Sequence, residues 1–250
     1  MIELAHLTKS HGTRRVVDDV GFRIAAGRVT GFLGPNGAGK SSTLRIILGL
    51  DRADSGTALI GGQPYRALRH PLRTVGALLD GGGAHRSRTG RAHLTWVARS
   101  NGIRRSRIDE VLATVGLTEA ADRRVGRYSL GMNRRLGLAT ALLGEPELLI
   151  LDEPVNGMDP GGIRWIRHFL RQYAAEGNTV FLSSHLMGET AETADDLVVI
   201  DKGRIVTQGS VAEITAGHSS LEDAFLALTD GDFGVGMGHA AVPGDERGAE

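Results

Sequence analysis

Cysteine is missing from the 250-residue chain. That excludes a disulfide framework and a thiolate metal site, and it fits a reducing cytosol. Long apolar runs are missing too. No stretch approaches the roughly 18 consecutive apolar residues a membrane span needs, so the expectation is a soluble chain that meets a membrane only through a partner. The opening MIELAHLTKSHG has no basic region followed by an apolar run, and no secretory leader is expected. An excess of one charge sign is also lacking. Basic and acidic residues cancel at 29 each, so no strong field calls for nucleic acid or an anionic membrane surface, and no nucleic-acid partner is expected.

What is present is an apolar fraction of 41%, enough for a sizeable core in one large or two-lobed domain. Residues 2–7, 16–24, 29–33, 55–60 and 75–79 read as strands, and residues 40–50 as a helix with Leu44, Ile47 and Leu48 on one face. Gly81, Gly82 and Gly83 make a flexible break. Residues 90–99, 106–115 and 129–143 then read as helices, an insertion between strands. After it come strands at 148–151, 179–183 and 197–200, with helices at 162–175 and 186–194. The pattern predicts an α/β fold with a mostly parallel sheet, an antiparallel N-terminal β part and an inserted α-helical subdomain. One domain is expected over 1–229, with its core at 1–80 and 145–229 and the insertion at about 81–144. The composition of 230–250 predicts a disordered tail.

The chemistry begins at residues 34–41, GPNGAGKS, which fit G-x-x-x-x-G-K-[ST] between a strand and a helix. Gly34, Gly37 and Gly39 let the backbone curl so that N–H groups point at phosphate oxygens. Pro35, Asn36 and Ala38 complete the loop. The helix start adds its positive dipole end. Lys40 can reach the β- and γ-phosphates of a nucleotide, and the Ser41 hydroxyl is a hard oxygen ligand for Mg²⁺. The bland alternative is a glycine-rich turn capping an ordinary helix. Residues 148–154, LLILDEP, carry Asp152 to the end of an apolar strand, where open α/β sheets bind ligands. Asp152 can hold Mg²⁺, and Glu153 can orient or deprotonate an attacking water. Two adjacent acids also suit a solvated turn, but beside a phosphate loop the catalytic reading is the stronger.

With these motifs the chain resembles the nucleotide-binding subunit of ATP-binding-cassette (ABC) transporters, a P-loop NTPase fold, over about residues 2–228. YSLGM (128–132) looks like the family signature in a variant found in single-cassette subunits of bacterial drug and antibiotic exporters. PVNGMDP (154–160) resembles the D-loop, and LSSH (182–185) the switch histidine. The resemblance implies an ATPase whose cofactors are ATP and Mg²⁺. It implies a homodimer formed on ATP, each nucleotide lying between the phosphate loop of one chain and Ser129, Leu130, Gly131 and Met132 of the other. It further implies that His11 and Val17 meet the nucleotide along with Ser42, that His185 works with Glu153, and that Asp159 reaches across the dimer. The implied partner is a separately encoded integral membrane permease, which puts the chain on the cytoplasmic side of the cell membrane. Plainer roles stay open: Ser129 and Asp159 as helix caps, His185 as a structural histidine.

Three positions depart from the family pattern. His11 stands where an aromatic residue usually stacks on adenine. Asp80 stands where a glutamine usually senses Mg²⁺ and the γ-phosphate, which makes it a further candidate metal ligand or else a turn residue. Met132 replaces the signature's final glutamine. Other cassette functions fit less well. A translation-associated ATPase would carry two cassettes, a DNA-repair cassette a long coiled coil, and an importer subunit often a regulatory domain after the cassette. A soluble ATP-gated clamp remains the alternative to an exporter subunit.

Overall fold

The computed structural model describes residues 1–79 and 83–230. Asp80, Gly81, Gly82 and the expected tail beyond residue 230 lie outside the described residues. The chain begins with strands β1 (Ile2–His11) and β2 (Arg14–Ile24), then β3 (Val29–Leu33), helix α1 (Lys40–Ile47) and β4 (Ser55–Ile60). A short α2 (Pro71–Thr74) leads into β5 (Val75–Leu78). Three helices follow: α3 (Gly90–Ser100), α4 (Ser106–Thr114) and α5 (Leu130–Leu142). The chain then returns through β6 (Leu148–Asp152), α6 (Pro160–Ala175), β7 (Thr179–Ser184), α7 (Met187–Ala191) and β8 (Asp196–Asp201). It continues with β9 (Arg204–Ser210), α8 (Val211–Thr215) and α9 (Leu221–Asp230).

The main sheet has the order β5-β6-β7-β3-β8-β9, parallel except for β9, which runs antiparallel to β8. Every residue of β3, β6 and β7 is buried. Unbroken apolar runs such as LLIL suit strands covered on both faces. Successive side chains take opposite faces, so Ile150 and Phe181 join one core and Leu149, Leu151, Val180 and Leu182 another. The first core is closed by the smaller antiparallel sheet β2-β1-β4. Phe22 from that sheet meets Phe32 and Phe181 with ring centroids 5.5 and 5.7 Å away, so the aromatic contacts tie the two sheets together.

The second core is covered by α6 and the inserted helices. Thr89 caps α3 by accepting a hydrogen bond from the Ala92 N–H, and Ser129 caps α5 in the same way from Met132. Helix α5 lies so close on β5 that a Cβ at Gly76 would strike the Ala141 carbonyl. The insertion is therefore packed directly against the first strand of the parallel sheet. β1 runs on to His11 past an irregularity between Leu4 and Leu7, where His6 adopts a positive φ of 51°. That break hides the strand's second half from an alternation pattern. β9 and α8 were not expected: β9 is an edge strand whose apolar residues, Ile205 and Val206, are too few to make a run. A third cluster explains why the chain continues there. Leu221 and Phe225 of α9 bury against Leu33, Leu197 and Val199.

Candidate active site

The phosphate loop connects the end of β3 to the start of α1. Gly34 and Gly39 have separate reasons to be glycine. A Cβ at Gly34 would run into the Ile200 carbonyl, and Gly39 combines a φ of 107° with a close approach to the Val16 carbonyl. The loop is thus pressed between β8 and β2. A backbone chain holds it there: Gly203 N–H donates to the Ala38 carbonyl (3.0 Å), and Asp18 N–H donates to the Gly203 carbonyl (2.8 Å). Pro35, Asn36 and Gly37 form the exposed tip, while Ala38, Gly39 and Lys40 are buried. The Lys40 ammonium donates to the carbonyls of Gly34 (2.6 Å) and Pro35 (3.2 Å), within the loop it serves. Burial lowers its pKa, and the charges of Glu153 and Asp152 push back. Ser41 is exposed and Ser42 half-buried at the first turn of α1.

The paired acids occupy the end of β6, beside β7. Asp152 is buried, and one of its carboxylate oxygens accepts a hydrogen bond from the Ser183 hydroxyl. The same hydroxyl oxygen accepts from the Glu153 N–H at 3.0 Å. Glu153 has a φ of 48°, a left-handed conformation uncommon for a residue other than glycine. This turn takes its side chain off the strand line and into the cleft. There one carboxylate oxygen lies 2.8 Å from His185 Nδ1 and the other 3.7 Å from Lys40 Nζ. The loop, the acids and the histidine therefore meet at one end of the parallel sheet. Ser183 was missed as a site residue. Its only sequence signal was its place two residues before His185 in LSSH.

The remaining candidates divide. His11 is exposed at the end of β1. Val17 is fully buried in the core, and the partly exposed valine beside the loop is Val16. Ser129, Gly131 and Met132 line a separate open cavity with Asp159, and none of its described walls comes from the phosphate loop. Leu130 is exposed at the surface and packs on Gly157, where a Cβ would collide with its side chain. The segments that resemble the signature and the D-loop are thereby in contact within one chain. Asp159 caps α6, accepting from the Gly162 N–H at 3.1 Å. Among the described residues no three His, Cys, Asp or Glu side chains form a metal cluster.

A profile of the ABC transporter family matches residues 17–156, from β2 through the paired acids. The chain is 40% identical over 211 residues to the bacitracin transport ATP-binding protein of Bacillus licheniformis, covering 83% of this chain and 69% of that protein. It is 35% identical over 225 residues to the lantibiotic transport ATP-binding protein of Streptococcus pyogenes, covering 90% and 96%. Among solved structures, the ATP-binding subunit of an ABC transporter superposes with a TM-score of 0.82 at 25% identity, over 92% of this chain and 99% of that one. A dimeric bacterial ABC transporter cassette gives a TM-score of 0.77 at 20% identity, over 84% and 99%, a likeness of fold. The chain belongs to the ABC transporter family, as an ATP-binding subunit that hydrolyses ATP.

Proposed function

We propose that this subunit energises a separately encoded membrane permease that exports an antibiotic or a similar small amphipathic compound. Two copies close on two ATP molecules, each held between the phosphate loop of one copy and Ser129 to Met132 of the other. The observation that carries the reading is the Glu153 carboxylate, held between Lys40 and His185. When ATP enters, the Lys40 ammonium exchanges the loop carbonyls for oxygens of the β- and γ-phosphates. Glu153 then takes a proton from the attacking water. His185 donates Nδ1–H to Glu153, and with a proton on Nε2 as well it can donate a second hydrogen bond to the γ-phosphate. The donor set fits Mg²⁺: Ser41 offers an exposed hydroxyl, and the second Asp152 oxygen makes no hydrogen bond among the described residues. These two residues would hold the ion, with Asp80 as a further oxygen ligand. The ion would offset charge on the triphosphate.

Gly131 supports the dimer. A Cβ there would meet nothing nearer than the Ser129 hydroxyl at 4.0 Å. Packing within one chain does not require glycine at this position, whereas close approach by a second chain's nucleotide does. Leu130 on Gly157 would carry that approach into the D-loop and Asp159, which would reach across the dimer. The bacitracin and lantibiotic relatives are the source of the substrate class. The inserted helices are the surface offered to the permease, which would hold the subunit at the cytoplasmic face of the membrane. The test is co-purification from detergent-solubilised membranes, followed by ATPase and transport assays on the complex. Recovery of a multi-span protein whose export of the compound stops with Glu153→Gln is expected. ATPase activity with no membrane protein bound, and no change in antibiotic susceptibility on deleting the gene, would overturn the exporter reading.

A further inference from the structure

The β1–β2 hairpin closes through Gly12, whose φ is 60°, and it leaves His11 and Arg14 as the last cross-strand pair. Residues directly opposite in an antiparallel pair share a face. His11 and Arg14 therefore project from the same side of the hairpin, and both are exposed. The Arg14 guanidinium ends over the phosphate loop, with Nη2 3.9 Å from where a Cβ on Gly37 would be. The hairpin itself is fixed on the loop by the Val16–Gly39 approach and the Asp18–Gly203–Ala38 backbone chain.

The other arginines of β2 are all paired. Arg15 donates to Asp18 at 2.7 Å and Arg23 to Glu3 at 2.7 Å. The Arg14 guanidinium has no hydrogen-bond or ion-pair partner among the described residues. A guanidinium fork without an acid, set at the tip of a loop that curls around phosphates, is suited to phosphate oxygens, which it can engage bidentately.

We propose that Arg14 is a nucleotide-binding residue that folds over the loop tip and donates to the triphosphate, with His11 on the same face left to meet the base. The inference rests on the nucleotide site already described and adds a second cation to Lys40, supplied by the small sheet. It also gives a physical role to the hairpin when its stacking residue is an imidazole: phosphate contact compensates for reduced contact with adenine.

The test is equilibrium binding of ATP and of GTP to the full chain carrying Arg14→Gln, Arg14→Lys or Lys40→Ala. Arg14→Gln is expected to weaken both nucleotides by the same factor, about tenfold, the scale of one partly exposed charged hydrogen bond. Arg14→Lys should recover part of the loss, and raising the salt should narrow the gap between Arg14→Gln and wild type. Unchanged ATP affinity in Arg14→Gln, with binding abolished in Lys40→Ala, overturns the role of Arg14 alone. A loss confined to ATP would make Arg14 a base contact and overturns it as well. Wild-type binding by Lys40→Ala would instead refute the phosphate site itself.

Discussion

His185 Nδ1 lies 2.8 Å from the Glu153 carboxylate, although the two residues are 32 positions apart in the chain. They meet because β6 and β7 are neighbours in register, with Asp152 opposite Ser183. Glu153→Gln keeps the shape of the side chain and removes its basicity. Turnover should fall roughly 10²-fold or more, the scale of general-base loss, while ATP still binds. Bound ATP that is no longer cleared should also hold two copies together. Size-exclusion chromatography in Mg-ATP should then show a dimer for this variant, either alone or once the permease is present. A monomer under both conditions contradicts the sandwich.

Ser183→Ala removes a hydroxyl that serves two neighbours at once: it donates to the Asp152 carboxylate and accepts from the Glu153 N–H. Leaving such buried groups unsatisfied costs about 1–3 kcal/mol. Part of that cost should appear as misplacement of Asp152 and Glu153. We expect hydrolysis to drop about tenfold, in line with about 1.4 kcal/mol of barrier, and ATP affinity to change little. Steady-state kinetics beside nucleotide binding separates the two effects. A loss of affinity as large as the loss of turnover would mean that Ser183 supports the fold of the whole site instead.

His93 provides a pH prediction. It is buried at 4% exposure on α3, with Nε2 3.2 Å from the Thr140 hydroxyl and Nδ1 without a partner among the described residues. Burial, with a smaller contribution from the charge of Arg88, lowers its pKa below the ordinary histidine value of 6.5. The unfolded chain therefore takes up a proton at a higher pH than the folded one. Stability from this group is full above about 6.5 and is lost as pH falls from there through the folded pKa. His93→Gln removes the titration, so its melting temperature should decline less than that of wild type on acidification below pH 6.5. Parallel declines would place the acid sensitivity elsewhere.

Phe181→Ala tests how the two sheets are joined. Phe181 is wholly buried, and its ring lies 5.4 Å from Phe32 and 5.7 Å from Phe22. A large cavity at such a place costs about 3–5 kcal/mol. Denaturant unfolding should show that loss. A change below about 1 kcal/mol would mean that the small sheet and the main sheet repack without the ring, as sites that collapse well can do.

Much of this was legible in the sequence because local chemistry forced it. The glycines at 34 and 39 and Lys40 stand out through the fixed spacing of one short motif, and the strand at Asp152 through its unbroken apolar run. What was not legible depended on distant partners. Ser183 matters only because β7 pairs with β6, and Val16 rather than Val17 faces outward because of the hairpin's register. The edge strand β9 shows no apolar run because it is paired on one side alone, and it needs α9 packed on Leu197 and Val199 to hold that end of the sheet. Ser129 and Asp159 do cap their helices.

Asp80 is where the family pattern and this sequence disagree most, and it follows β5 by two positions in the chain. An acid near a triphosphate is repelled unless a cation lies between them. Unit charges about 4 Å apart interact by about 4 kcal/mol at an effective dielectric of 20. A carboxylate at this position is therefore expected to ligate Mg²⁺, directly or through water, when ATP is bound. Asp80→Asn keeps the shape and removes the anionic ligand, so it should raise the Mg²⁺ concentration needed for half-maximal hydrolysis. Asp80→Gln restores the usual family residue and should be tolerated better than Asp80→Ala, in hydrolysis and in drug resistance conferred by the assembled transporter. If all three variants hydrolyse ATP with the wild-type Mg²⁺ dependence and still support resistance, Asp80 has no part in metal binding or coupling. Communication between the nucleotide and the inserted helices must then run through other contacts, such as the α5 backbone lying on β5 at Gly76.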